Sequence, residues 1–125
     1  MTATVPETEL VVGDAVIAGV AARAATQVPG VARLEPGVLG LVGHLARTGR
    51  HLWIGQEPVP SAGVRIRRAG GLLSVQVDLA LTASGHAGEV GRAVQLAVTR
   101  AVAEHTGAEV DEVTVWVLDI EPERA

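Results

Sequence analysis

One stretch of strict alternation constrains the fold more than any other feature of this chain. From position 73 to position 81, every odd position is apolar, and polar or small residues fill the even positions. Successive side chains of a β-strand point to opposite faces, so this pattern predicts a strand with one face on a core. The apolar residues are Leu73, Val75, Val77, Leu79 and Leu81, and the residues between them are Ser74, Gln76, Asp78 and Ala80.

A second strand precedes this one, and a tight turn separates the two. The segment 64–69 alternates Val64 and Ile66 with Arg65 and Arg67. Gly70 and Gly71 follow, and two glycines between alternating segments indicate a two-residue hairpin turn. We therefore predict an antiparallel hairpin, with both arginines on the face opposite the core.

Two other segments have apolar residues at helical spacing. The first spans residues 14–27, where Asp14 is expected to cap the first turn and Pro29-Gly30 to end the helix. The second runs from about Glu89 to about His105, and Gly107 is placed to end it. Each helix therefore presents one apolar stripe to a core.

Two more strands complete the predicted fold. Residues 31–35 form a short strand, and residues 109–118 form the last one, with Trp116 on its polar face. The prediction is an α+β, two-layer sandwich in the order α-β-(loop)-β-β-α-β. Both helices pack on one face of a three- to four-stranded sheet, because each apolar face needs a partner layer.

The chain of 125 residues suits a single domain. We expect an N-terminal tail over residues 1–12, a domain over 13–120 and a C-terminal tail over 121–125. Residues 38–62 contain several glycines and prolines among apolar residues, and we interpret them as a variable excursion from the domain.

The composition limits the function classes. Phe and Tyr are absent, so the core must consist of aliphatic residues. The net charge is −4, which disfavours nucleic-acid binding because that binding relies on a basic surface. Cys is absent, which excludes disulfides and thiolate ligands and suits a reducing cytoplasm. The longest stretch without Asp, Glu, Lys or Arg runs only from Pro36 to Ala46, too short to span a bilayer.

Four segments together resemble the alkaline shock protein family of bacterial envelope-stress proteins. They are "VPGV" at 28–31, the glycine-punctuated "GVLGLVGHLART" from 37 ahead of "GVRI" at 63–66, the alternating strand that ends near Gly85, and "TGAEVDEVTVWV" at 106–117. Together, in this order, the matching segments span about residues 13–118. The segment Ser84-Gly85-His86 departs from the family, whose members more often carry an aromatic residue before the glycine.

The resemblance implies a cytoplasmic protein without catalytic activity or cofactor, linked to cell-envelope stress. It also implies self-association into a homo-oligomer and docking to a small membrane-anchored protein, which would bring the chain to the membrane indirectly. No catalytic residues are carried over from the family, and no small-molecule substrate is expected.

Two sets of residues include the types found in catalytic or metal sites. Ser84, His86 and Asp78 include the residue types of a nucleophile triad, but no strand-turn-helix elbow surrounds the serine. We therefore assign Ser84 and His86 to the turn before the second helix. His44 and His51 are spaced to share a helix face, but two imidazoles do not complete a metal site, so no metal is predicted.

A KH-like RNA-binding module is the alternative function. Gly85-His86-Ala87-Gly88 matches the GXXG loop with which KH domains clamp a nucleic-acid backbone. That loop joins two helices in KH domains, whereas a strand precedes it here, and the loop contains no basic residue. A plain turn is the simpler interpretation.

The predicted interaction surface combines arginine with tryptophan. Arg65, Arg67 and Trp116 are expected on the sheet face away from the helices, and Arg–Trp composition is typical of interface hot spots. A solvated face, with Asp78 offsetting the arginines, is the plainer alternative. Trp53, in the excursion, is the fourth predicted partner contact, because apolar residues in a loop need a surface to cover them.

Overall fold

The described part of the chain forms two helices and four strands. In this computed structural model, residues 7–36 and 63–123 are described. The elements in chain order are α1 (Asp14–Thr26), β1 (Val31–Leu34), β2 (Val64–Ala69), β3 (Leu72–Leu81), α2 (Ala87–Thr106) and β4 (Glu112–Ile120). This order confirms the predicted α+β sequence of elements.

Strand β3, which contains the strict alternation, is the centre of a mixed sheet. It pairs antiparallel with β1 and β2 and parallel with β4. The hairpin of β2 and β3 turns at Gly70 and Gly71, both with positive φ, as the sequence predicts. Strand β4 returns parallel to β3 because the intervening helix α2 carries the chain back along the sheet.

Strands β1 and β2 lie on the same side of β3, one after the other. Val31–Leu34 pairs with positions 79–81, and Val64–Ala69 pairs with positions 72–77. They meet at Asp78, whose carbonyl accepts from Glu35 N at 2.8 Å and whose N–H donates to Gly63 O at 2.7 Å. The two short strands thus act as one interrupted strand beside β3. The predicted excursion, residues 38–62, lies outside the described residues.

Both helices cover the same face of the sheet. The odd-numbered residues of β3 form one buried cluster with α1 and α2. Helix α1 contributes Ile17, Ala18, Ala21 and Ala25, and helix α2 contributes Val90, Val94, Val98 and Val102. The aliphatic core and the two-layer packing are therefore confirmed.

The helix ends follow the predicted signals in part. Gly107 ends α2 with φ of 75°, and its N–H donates to Ala103 O at 3.0 Å. The prediction that Asp14 caps α1 is wrong. Gly13 occupies the cap position without a side-chain bond, and the Asp14 carboxylate accepts from Arg68 Nε at 2.9 Å instead. Neither described helix is long and apolar enough to cross a membrane.

Strand β4 begins and ends later than its sequence pattern indicates. It spans Glu112–Ile120, whereas residues 109–118 were predicted. The Asp111 carboxylate accepts from Leu73 N at 2.8 Å, and Asp111 N donates to Leu73 O at 2.9 Å. These two bonds join Asp111 to the start of β3 directly before the regular ladder, which begins at Glu112.

Candidate functional site

The candidate site lies on the sheet face opposite the helices, which we call the outer face. The even-numbered residues of β3 point to it, together with the residues of the neighbouring strands that pair with them. Four rows of paired residues cross the sheet there. They are Arg65–Gln76–Thr114, Arg67–Ser74–Glu112, Asp78 beside Trp116, and Arg33–Ala80–Asp119.

A buried carboxylate organises the centre of this face. Asp78 is 1% exposed. Its Oδ2 accepts from Arg65 Nη2 at 2.8 Å, and its Oδ1 accepts from Gln76 Nε2 at 3.1 Å. The Arg65 side chain remains 38% exposed, although its Nε is buried without a hydrogen-bond partner. Arg65 therefore neutralises an internal charge and also reaches the surface.

Arg67 occupies the next outer-face position of β2 and is exposed. It pairs in register with Ser74, which in turn is beside Glu112 of β4. Its neighbour Arg68 contacts Asp14 of α1 at 2.9 Å. Arg67 thus adds an exposed positive charge to the outer face beside the neutralised Asp78–Arg65 pair.

Arg33 bridges the opposite end of the same face. Its guanidinium contacts Glu35 and Glu121 at 2.6 Å each and Asp119 at 3.5 Å. Arg33 pairs in register with Ala80, and Ala80 with Asp119, so the arginine crosses β3 to reach β4. The sequence pattern does not indicate this role of Arg33, because two of its three partners, Asp119 and Glu121, are distant in sequence.

Trp116 stands on β4 at the position paired with Asp78 and is 48% exposed. The residues that follow it are also apolar and exposed: Val117 at 37%, Leu118 at 40% and Ile120 at 54%. The outer face therefore ends in an exposed apolar strand. The predicted strand ends at residue 118, so it does not include Ile120.

The structure places three of the four predicted contact residues on one face. Arg65, Arg67 and Trp116 all belong to the outer face, as their alternation indicates. Trp53 lies outside the described residues. That these residues bind a partner remains a prediction.

His86 and Asp78, two of the three residue types of a nucleophile triad, form hydrogen bonds to other residues and not to each other. His86 is the cap of α2, where its Nδ1 accepts from Glu89 N at 3.4 Å. Asp78 is engaged by Arg65 and Gln76, so it does not orient this imidazole. Gly85 lies close to the carbonyl oxygens of Gly30 and Thr82, and the second glycine of the GXXG match, Gly88, is inside α2.

No group of three His, Asp or Glu side chains able to hold a metal occurs among residues 7–36 and 63–123. His44 and His51, the pair weighed earlier, fall outside that part of the chain.

Comparison with known proteins gives one family and one structure. A model of the alkaline shock protein 23 family, described by a cell envelope-related function, matches residues 3–122. No curated protein matches the chain. A solved structure of a MamM variant is similar at 15% sequence identity, covers 86% of this chain and 83% of its own, and has a TM-score of 0.43.

Proposed function

The chain belongs to the alkaline shock protein 23 family, whose function is related to the cell envelope, and we propose that it serves there as a non-catalytic interaction module. In this proposal the protein is cytoplasmic and takes part in the response to envelope or alkaline stress. It associates with itself and reaches the membrane by docking to a small membrane-anchored protein. It needs no cofactor for either contact.

One observation supports the docking surface above all others. Trp116 is a large aromatic side chain on an edge strand, half exposed, beside a sheet face that carries Arg65 and Arg67. Tryptophan and arginine dominate the binding energy of protein interfaces, because both offer a large contact area together with hydrogen-bond donors. Leaving such a side chain half in water has no benefit for the isolated domain.

The proposal is tested by fractionating native host cells and following the protein between cytosol and membrane. The wild-type protein is expected in the membrane fraction, co-purifying with a small anchored protein. Trp116→Ala and Arg67→Glu are expected to move most of it to the cytosol. Since losing an interface hot spot costs about 2 kcal/mol or more, the affinity should fall by roughly thirtyfold.

The matched control is Leu96→Ala. Leu96 on α2 is 48% exposed, the same fraction as Trp116, but it belongs to the helical layer. This variant should stay with the membrane. A wild-type protein found wholly in the cytosol would contradict the docking proposal, and RNA in the purified material would then favour the RNA-binding alternative.

A further inference from the structure

We infer that the partner binds by adding an extended segment to the free edge of β4, and that this segment carries basic residues at both ends. The inference rests on the proposed docking function and specifies its geometry and its ligand chemistry. Three properties of β4 support it: an open main-chain edge, an apolar middle and acidic ends.

The main chain of β4 is open along its outer edge. The main-chain groups of Asp78 bond the side of β3 that carries β1 and β2, so the odd-numbered residues of β3 direct theirs to β4. In a parallel pair only one residue of each register pair bonds the other strand, so the even-numbered residues of β4 before the register shift bond β3. Val113, Val115 and Val117 therefore point their N–H and C=O away from β3, and Val113 O accepts from Gln95 Nε2 at 3.1 Å. Within the described residues, β4 pairs with β3 alone. These outward groups can therefore form a ladder with an added strand.

The edge lacks the features that usually prevent such pairing. Natural edge strands are often short, or carry lysine, proline or inward-pointing charges. Strand β4 has nine residues, and its run from Val113 to Leu118 contains no charge and no proline. A register shift near Leu79 and Ala80 is the one irregularity in its pairing with β3, and it lies after the outward-facing positions.

Apolar side chains are exposed along this same run. Trp116 and Leu118 are 48% and 40% exposed, and Val117 is 37% exposed. An added strand would cover side chains on both sides of the sheet edge, because neighbouring strands lie about 4.8 Å apart. The main-chain ladder would supply affinity, and these side chains would select apolar residues in the added strand.

Both ends of β4 are acidic. Glu109, Asp111 and Glu112 stand at its start. At its other end Glu35, Asp119 and Glu121 share the single guanidinium of Arg33, which leaves an excess of negative charge there. From Glu112 to Asp119 the strand covers about 23 Å. The edge is thus complementary to a segment with an apolar middle of about six residues and Lys or Arg on either side.

Charge also decides between a basic segment and a second copy of β4. Both ends of the strand are acidic, so two β4 strands would face like charges in either a parallel or an antiparallel arrangement. Like charges across a strand pair are destabilising. By contrast, cytoplasmic segments next to a membrane anchor are rich in Lys and Arg. A membrane-anchored partner therefore offers the complementary charge.

The experiment uses the full chain and a synthetic peptide of about nine residues, with Lys-Arg at each end and alternating Val and Thr between them. Affinity is measured by titration calorimetry at low salt. Val117→Pro removes an outward N–H without touching the bonds to β3, and proline is tolerated at such edge positions. It should weaken binding at least tenfold, whereas the matched Val117→Ala, which keeps the N–H, should stay within about twofold. The same peptide with Glu at its ends should bind at least tenfold more weakly.

A second variant avoids dependence on a proline. Glu112 is exposed, and Thr114 Oγ1 donates to its carboxylate at 3.5 Å, so Glu112→Lys leaves the core untouched. It should weaken the basic peptide and strengthen the acidic one. Equal binding of both peptides to wild-type protein, or full binding to Val117→Pro, would overturn the inference. A wild-type dimer that Val117→Pro dissociates, with no peptide binding, would assign the edge to a second copy instead.

Failure of this inference is distinguishable from failure of the docking proposal. In native cells, membrane recovery that survives in Val117→Pro would reject strand addition while docking stands. Release of Val117→Pro with retention of Val117→Ala would support both. If the wild-type protein never reaches the membrane, docking fails, and the peptide titration still decides whether the edge accepts a basic strand.

Discussion

The carboxylate of Asp78 is held out of solvent by side chains from its own strand and from β2. Arg65 supplies the opposite charge at 2.8 Å and Gln76 an amide donor at 3.1 Å. Burying a charge costs several kcal/mol unless it is paired and hydrogen-bonded. The pair therefore fixes the position of Arg65 on the outer face, and Arg65 cannot leave it freely to bind a partner. Arg67, the exposed neighbour, remains available.

Removing Arg65 should destabilise the protein through the carboxylate that it leaves behind. For Arg65→Ala we expect a loss of about 2 kcal/mol in the free energy of unfolding, below the roughly 3–5 kcal/mol of fully buried pairs, because water reaches the partly exposed arginine. Urea denaturation monitored by circular dichroism measures this change.

Two controls separate charge burial from general disruption of β2. Arg67→Ala on the same strand should change stability by no more than about 0.5 kcal/mol. Arg65→Leu combined with Asp78→Leu should recover most of the loss, because an apolar pair leaves no unpaired charge. A double variant as unstable as Arg65→Ala would show that the carboxylate is not the cause.

At the scale of elements, the junction between β1 and β2 depends on one glycine. Gly63 has φ of 93°, and a Cβ there would lie 2.8 Å from Glu35 O and 2.9 Å from Leu34 Cβ. The position also accepts the hydrogen bond from Asp78 N. The chain can therefore re-enter the sheet beside β1 only with a residue that has no side chain.

Gly63→Ala should lower the free energy of unfolding by about 2 kcal/mol or more, since it adds both backbone strain and a clash with main-chain atoms. Thermal and urea unfolding measure the loss. The matched control is Gly91→Ala in α2, where no atom lies within 4 Å of the added Cβ. That variant should gain about 0.5–1 kcal/mol from helix propensity. Equal effects at the two glycines would contradict this account of the junction.

Local patterns predicted the elements well, and long-range contacts explain what they missed. Alternation in β3 and helical spacing in α2 depend only on neighbouring residues, so element type and core-facing residues follow from sequence. Alternation also assigns Asp78 to the outer face, but it carries no information on burial, which arises from Arg65 on another strand. In the same way, the Arg33 bridge to Asp119 and Glu121 requires the pairing of β1 and β4 with β3.

At the scale of the whole molecule, the two layers differ in the residues that they present on the surface. The helical layer closes the aliphatic core, while the outer face and β4 present arginine, tryptophan and acidic clusters. Exposed apolar residues concentrated on one strand, with polar residues around them, mark interaction sites in monomeric domains. The family to which the chain belongs has a cell envelope-related function.

The central claim, that β4 contacts a membrane-anchored protein, is tested most directly by photo-crosslinking in native cells. A photo-reactive residue replaces Leu118 on β4 in one strain and Leu96 on α2, which is similarly exposed, in another. After illumination, membrane and cytosolic fractions are searched for crosslinked products by mass spectrometry. The account predicts a crosslink from position 118 to the cytoplasmic, Lys- and Arg-rich segment of a membrane-anchored protein, and none from position 96. A crosslink to that protein from position 96 alone, or membrane recovery with no crosslink from 118, would contradict it.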